Sequence, residues 1–250
     1  MMRFAIGCHI TIAGGYARAA HTAAELGGDT FQFFTSNPRG GKAKAVDVGD
    51  LAAMKDFLTA HDFAPLIAHA PYTMNLCSAK EDVRAFGRDM LRADLERLSH
   101  IPGHFYNFHP GSHTGQGIET AIAQIAEALG AVLPDACGTT ILLETMAGKG
   151  TEVGGRFEEL RAVLDRLPQD ADVGVCLDTC HVHDAGYDIV NDPDGVLTQF
   201  DKIIGLERLH AVHLNDSKKP AASRKDRHEQ LGRGTIGEEA LRRMVQHPAS

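Results

Sequence analysis

The 250-residue chain has no tryptophan, no Cys-x-x-Cys pair, no apolar run long enough to cross a bilayer and no excess of basic charge. The five cysteines (Cys8, Cys77, Cys137, Cys176 and Cys180) are odd in number and scattered. Such spacing indicates neither a disulfide framework nor a cysteine-only zinc site, and a reducing cytoplasm is the default compartment for it. The opening "MMRFAIGCHIT" carries one basic residue and too short an apolar core for a secretory signal. Nothing approaches the ~18 apolar residues of a membrane span. A cytoplasmic protein with no membrane partner is expected. Lysine and arginine total 25 against 33 acidic residues, a net charge of −8. This argues against wholesale coating of nucleic acid and leaves room for a local basic patch. No low-complexity linker interrupts the chain, so one domain over residues 1–250 is expected.

What the chain does have is histidine, 14 in all, the commonest metal ligand and proton shuttle among side chains. It also has a regular alternation of elements. Strand-like apolar runs fall at 4–10, 30–34, 65–69, 104–109, 140–144, 173–178 and 208–215. Helix-period segments fall at 13–27, 48–61, 81–99, 118–133, 156–167, 192–204 and 237–246. The third helix places Val83, Phe86, Met90, Leu91, Leu95 and Leu98 near one face, as an amphipathic helix requires. Alternation of this kind means parallel strands joined by helical crossovers, and it fits either an open doubly wound sheet or a closed barrel. Seven units average about 36 residues each, in line with the ~30 or more of a βαβ unit. A closed barrel needs an eighth strand, and the residues reach "RRMVQHPAS" before supplying one, so the expectation is either an open sheet or a chain cut short.

Five of the strands finish in a metal-capable residue: His69, His109, Glu144, Asp178 and His213. In parallel α/β folds the C-terminal strand ends converge on one rim, where active sites are built. His181 follows Asp178 by three residues, and Asp226 and His228 sit one residue apart, projecting alike if extended. Each alone has an ordinary explanation. A strand-end histidine can be a hydrogen-bonded polar cap, Glu144 a salt-bridge partner, and Asp178 the cap of a following helix. Strand after strand ending this way is harder to explain so. Mixed imidazole and carboxylate donors suit zinc, manganese or iron better than magnesium or calcium. Eight candidates are too many for one tetrahedral ion and suit two or three, and clustered divalent ions are the apparatus of phosphoester hydrolysis.

The segments "GCHITIAGG" (7–15), "NFHPGSH" (107–113), "ETMAGKGTEVG" (144–154), "VCLDTCH" (175–181), "LHAVHLNDSK" (209–218) and "DRHEQLGRGTIG" (226–237) resemble, in order, the endonuclease IV family of abasic-site endonucleases. The resemblance implies a zinc-dependent TIM (β/α)8-type barrel, here with seven β/α units. It implies a monomer that acts on damaged double-stranded DNA, cutting on the 5′ side of abasic sites to leave a 3′-hydroxyl. By motif, His69 and His109 hold the first of three zinc ions. Glu144 bridges it to a second, also bound by Asp178 and His213, and serves as the catalytic carboxylate. His181, Asp226 and His228 hold the third. Arg39, in "TSNPRGGKAK", falls at an intercalating arginine and Tyr72 at another DNA-contacting position. Arg224, Lys225, Arg227 and Arg233 flank the third-ion ligands, where they can meet phosphates.

Two departures from the family pattern stand out. A tryptophan usually follows the arginine at position 39, whereas this chain reads Gly40-Gly41, which implies a weaker wedge into the duplex. The family pattern also includes an eighth strand with a further glutamate on the second zinc. Its absence from these residues leaves that ion with Glu144, Asp178 and His213 and implies slower incision. Two rivals remain open. One is a metal-dependent sugar isomerase or epimerase of the xylose-isomerase-like barrels, from which the third ligand set would separate an endonuclease. The other is a catalytically weakened protein that binds abasic DNA without cutting it.

Overall fold

The computed structural model describes residues 4–38 and 45–247. Its main sheet has six parallel strands: β1 (Gln32–Phe34), β2 (Ile67–His69), β3 (Phe105–Phe108), β4 (Thr140–Glu144), β5 (Val173–Asp178) and β6 (Leu209–His213). They lie side by side in chain order, every neighbouring pair parallel. A doubly wound sheet reverses its strand order at a switch point. This one never reverses, which is the winding of a barrel wall.

Helix α1 (Tyr16–Glu25) precedes β1, and between the strands run α2 (Val48–Ala60), α3 (Glu81–Leu98), α4 (Ile118–Val132), α5 (Phe157–Leu164), α6 (Thr179–Ala185) and α7 (Pro193–Ile203). A two-stranded antiparallel ribbon, β7 (Asp216–Ser217) with β8 (His228–Glu229), follows β6, and α8 (Glu238–Gln246) comes after it. Local chemistry sets the helix starts. Asp192 accepts the amide of Gly195 at 2.9 Å, with Pro193 in the first turn of α7, as a helix N-terminus favours. The start of α1 has no cap of its own. The Asp50 carboxylate on α2 supplies it, accepting from Tyr16 and Ala17, so one side chain both caps α1 and ties two crossovers together.

The core lies between strands and helices. Tyr106, Phe31, Phe33, Phe108, Phe157 and Phe200 are among its largest fully buried members. All six residues of β5 are buried, as expected of a parallel strand covered on both faces. Strand β6 forms the outer edge of the sheet, and none of its five residues is fully buried.

Two expectations are corrected, and one further element is unforeseen. Residues 4–10 do not form a regular strand. They join the sheet through one parallel bridge, His9 to Gln32, because this outermost segment has sheet on one side only and leaves Phe4 and Ile6 exposed. Phe86 is exposed rather than packed. The buried face of α3 runs through Gly87, Leu91, Leu95 and Leu98, and Phe86 lies about 100° around the helix from Gly87. Finally, the sequence pattern does not predict α6. Seven residues are too few to show a helical period.

Candidate metal centre

The ends of β2, β4, β5 and β6 carry His69, Glu144, Asp178 and His213, and His109 follows β3 directly. Parallel pairing places all five on one rim. Strand β5 runs straight into α6, and the Asp178 carboxylate accepts the His181 amide at 2.9 Å as the helix cap. The capping role open to Asp178 from sequence is therefore real, and it delivers His181 to the same rim. Gly186, with φ of 111°, ends α6 in the left-handed conformation that glycine adopts at no steric cost.

Glu144 is the hub. Its Oε2 lies 3.1 Å from His69 Nε2 and 3.4 Å from His109 Nε2. Its Oε1 lies 3.0 Å from His213 Nδ1 and 3.4 Å from His181 Nδ1. One carboxylate thus faces ligand candidates on two sides. Asn107 donates to Oε2 at 2.6 Å, and Asn215 donates to Asp178 Oδ2 at 2.7 Å. Two rings are oriented by main chain: His69 Nδ1 donates to the Ala70 carbonyl and His181 Nδ1 to the Thr145 carbonyl, both at 2.7 Å. Each thereby turns Nε2 into the rim, the usual support for a ligating imidazole.

Several groups of candidate ligand atoms lie mutually within 4.8 Å. His69, His109 and Glu144 form one, and Glu144, Asp178 and His213 another. The far side differs in detail from the expected trio. Asp178 gathers with His181 and His228, and the buried Cys180 sulfur with Asp226 and His228. Asp226 Oδ1 still lies 3.2 Å from both His181 Nε2 and His228 Nε2. Asp226 is not extended: its φ is 51°, so it reaches the rim by a left-handed turn instead of strand alternation. Sequence gives no reason to count the Cys180 sulfur, because no cysteine pair accompanies it. Only the turn of α6 brings it here.

The electrostatics follow from crowding these groups together. Burial opposes ionisation of Glu144, yet His213 and His109 outweigh it and hold the carboxyl well below its usual range. Burial also opposes charge on His181, and Asp178, Asp226 and Glu144 prevail, holding that ring well above its ordinary value. At His228 burial is overcome chiefly by Asp226, and the pKa rises to about 10. His69 goes the other way: burial lowers it even with Glu144 alongside. Glu144 and Asp226 on one side and His181, His213 and His228 on the other thus stabilise one another's charged forms. The buried Nε2 of His181 has no hydrogen-bond partner despite the nearby Asp226 oxygen, an arrangement that suits donors converging on an ion.

Of the candidate DNA contacts, Tyr72 is 58% exposed on the rim, its ring 5.1 Å from Phe34 and 5.4 Å from His109. Arg224 and Arg227 are exposed on the loop carrying Asp226. Arg39 lies outside the described residues.

A barrel wall with such a rim defines a class, and residues 20–249 match the family described as the xylose isomerase-like TIM barrel. A probable endonuclease 4 from Alkaliphilus oremlandii (strain OhILAs) is 53% identical over 243 residues, covering 97% of this chain and 86% of the relative. The crystal structure of endonuclease IV from Thermus thermophilus superposes with a TM-score of 0.85 at 36% identity, covering 98% of this chain and 88% of that one. The chain belongs to the endonuclease 4 family. A D-psicose 3-epimerase structure also aligns, with a TM-score of 0.65 at 17% identity, covering 97% of this chain and 82% of that one. That likeness is one of fold alone. No helix among the described residues is long and apolar enough to cross a membrane.

Proposed function

We propose that this chain is a zinc-dependent repair endonuclease that hydrolyses the DNA backbone on the 5′ side of abasic sites, leaving a 3′-hydroxyl. The observation that carries the reading is Glu144, buried to 1% exposure, with each oxygen turned toward a different group of imidazoles. A bridging carboxylate between two cation sites has this geometry, and a solitary structural glutamate has no need of it.

The donor set fits zinc: imidazole and carboxylate, with one thiol at the margin. His69, His109 and Glu144 would hold the first ion, and Glu144, Asp178 and His213 the second. His181, Asp226 and His228 would hold the third, with Asp178 and Cys180 close by. Zinc there supplies Lewis acidity toward the phosphate and a water acidified toward neutral pH.

The residues' own part is to place and neutralise. Asn107 and Asn215 hold the carboxylates of Glu144 and Asp178 in fixed planes. Tyr72 gives the extruded sugar an aromatic edge beside the first site, and missing base stacking makes that extrusion cheap. Arg224 and Arg227 meet phosphates flanking the third site and make binding salt-sensitive. No covalent protein intermediate is required. The chain works as a monomer in the cytoplasm.

The test is incubation of purified protein with a duplex containing one abasic site, with and without chelator, alongside zinc quantification. Cleavage 5′ to the lesion, lost on chelation and restored by zinc, is expected. Binding to abasic duplex without incision at saturating zinc favours the weakened binding protein. Less than one zinc per chain overturns the metal assignment.

A further inference from the structure

We infer that Gln32 is a positioning residue for the second ion, fixing the His213 ring so that Nδ1, not Nε2, enters the site. This rests on the metal-dependent reading above. His213 is the ring whose support differs from the others. His69 and His181 donate Nδ1–H to backbone carbonyls close by and present Nε2. His213 is turned the opposite way. Its Nδ1 lies 3.0 Å from Glu144 Oε1 and 3.8 Å from Asp178 Oδ2, and its Nε2 points away, 2.6 Å from Gln32 Oε1. The partner is 181 residues distant in sequence, on β1 at the other margin of the sheet.

The proton bookkeeping is unambiguous once the amide is oriented. A carbonyl oxygen only accepts, so a hydrogen sits on His213 Nε2, and Nδ1 is the nitrogen that faces the carboxylates and can give up its own hydrogen to a cation. The amide orientation is set on its other side, where Gln32 Nε2 donates to His9 Nδ1 at 3.3 Å. The His9 ring packs against Phe34 with centroids 4.6 Å apart. The backbone of Gln32 is held on both sides, by Cys8 and Ile10 and by its pairing opposite Ile67. A flipped amide would point its NH2 at His213 and demand a hydrogen on Nδ1, closing that nitrogen to a cation. His9 and Gln32 thus orient a ligand on the sheet's edge strand, where β6 has a neighbouring strand on one side only.

The experiment compares wild type with Gln32→Leu and Gln32→Glu, using zinc-loaded protein labelled with 15N in its histidine rings, chelator titration of bound zinc, and circular dichroism with thermal melting to check folding. Gln32→Leu removes the acceptor, and the second zinc is expected to bind roughly tenfold to a hundredfold more weakly, the range typical of outer-shell partners, with the other ions unchanged. Gln32→Glu keeps an acceptor toward Nε2 and should restore the wild-type zinc titration. In wild type and Gln32→Glu the His213 spectrum should show hydrogen on Nε2 and coordination through Nδ1. Coordination through Nε2 in wild type overturns the inference, as does a folded Gln32→Leu variant with unaltered zinc affinity. If Gln32→Leu does not fold, the wild-type ring spectrum and the Gln32→Glu titration decide alone. A wild-type chain that binds no zinc overturns the metal reading and this inference together, whereas zinc binding indifferent to Gln32 overturns only the latter.

Discussion

The two sides of the metal rim rest on different foundations. His69, Glu144 and Asp178 end strands in the interior of the sheet and are 3%, 1% and 0% exposed. Their positions follow from strand register, and little besides unfolding can move them. Asp226 comes from the irregular segment between β7 and β8 and His228 opens the two-residue β8 that follows it, its side chain 44% exposed. Ala222, Arg224 and Asp226, alternate residues of that segment, have φ of 60°, 53° and 51°, a conformation costing about 1–2 kcal/mol at each non-glycine position. Helix α6 holds the segment in place. Asp184 accepts the Asp226 amide at 2.9 Å and the Ser217 hydroxyl at 2.8 Å. Its carbonyl accepts the Arg224 amide, and that of His183 the Ala222 amide. A strand-borne ligand is preorganised by the sheet; a loop-borne one needs a dedicated anchor.

That contrast can be broken or sharpened by measurement. The largest effect is expected for Glu144→Ala, which removes the carboxylate proposed to serve two sites: incision should fall by more than about 10³-fold. Single-turnover cleavage of abasic duplex measures it, and near-normal cleavage would remove Glu144 from the hub. Asp184→Ala should release the loop, costing one zinc per chain and about a hundredfold in incision while the strand-borne sites stay loaded. Three retained zincs would show that the loop holds itself.

A pH series separates the two sides more finely. In the cation-free chain His228 keeps its proton up to about pH 10, whereas burial lowers the pKa of His69 below its ordinary value. Zinc must therefore displace protons from His228 and His181 at the third site, whereas His69 at the first holds its proton less firmly. Third-site affinity should rise with pH toward 10, by about tenfold per unit for the His228 proton. Chelator competition at several pH values reads the slopes, and equal slopes would erase the distinction.

The smallest expected effect lies away from the rim and serves as its control. His104 is held neutral by burial, its pKa lowered from 6.5 to about 4, and its Nδ1 accepts the Leu66 amide at 3.1 Å. A depressed histidine pKa stabilises the fold above 6.5, and the stabilisation is lost as pH falls toward 4. The loss should be on the order of 3 kcal/mol, visible as a falling urea midpoint and abolished in His104→Asn.

Much of this is legible in the residues. Six of the seven apolar runs form strands and all seven helical segments form helices, because burial on both faces and on one stripe leave different periods in a sequence. The eight ligand candidates are legible as strand ends and motifs. Gln32 and Asn107 are not, since each sits inside an apolar strand where a lone amide carries no pattern. Asp184 looks like any other residue of a short helix.

From its sequence alone this protein was committed to parallel strands with helical crossovers and to a supply of imidazoles and carboxylates at the strand exits, since hydrophobic period and residue chemistry are local properties. Tertiary structure alone decided that the strands wind without reversal, that Glu144 faces two groups of histidines, and that Cys180 and Gln32 join the rim. Those are distances between segments far apart in the chain, set by register and packing, on which local pattern is silent.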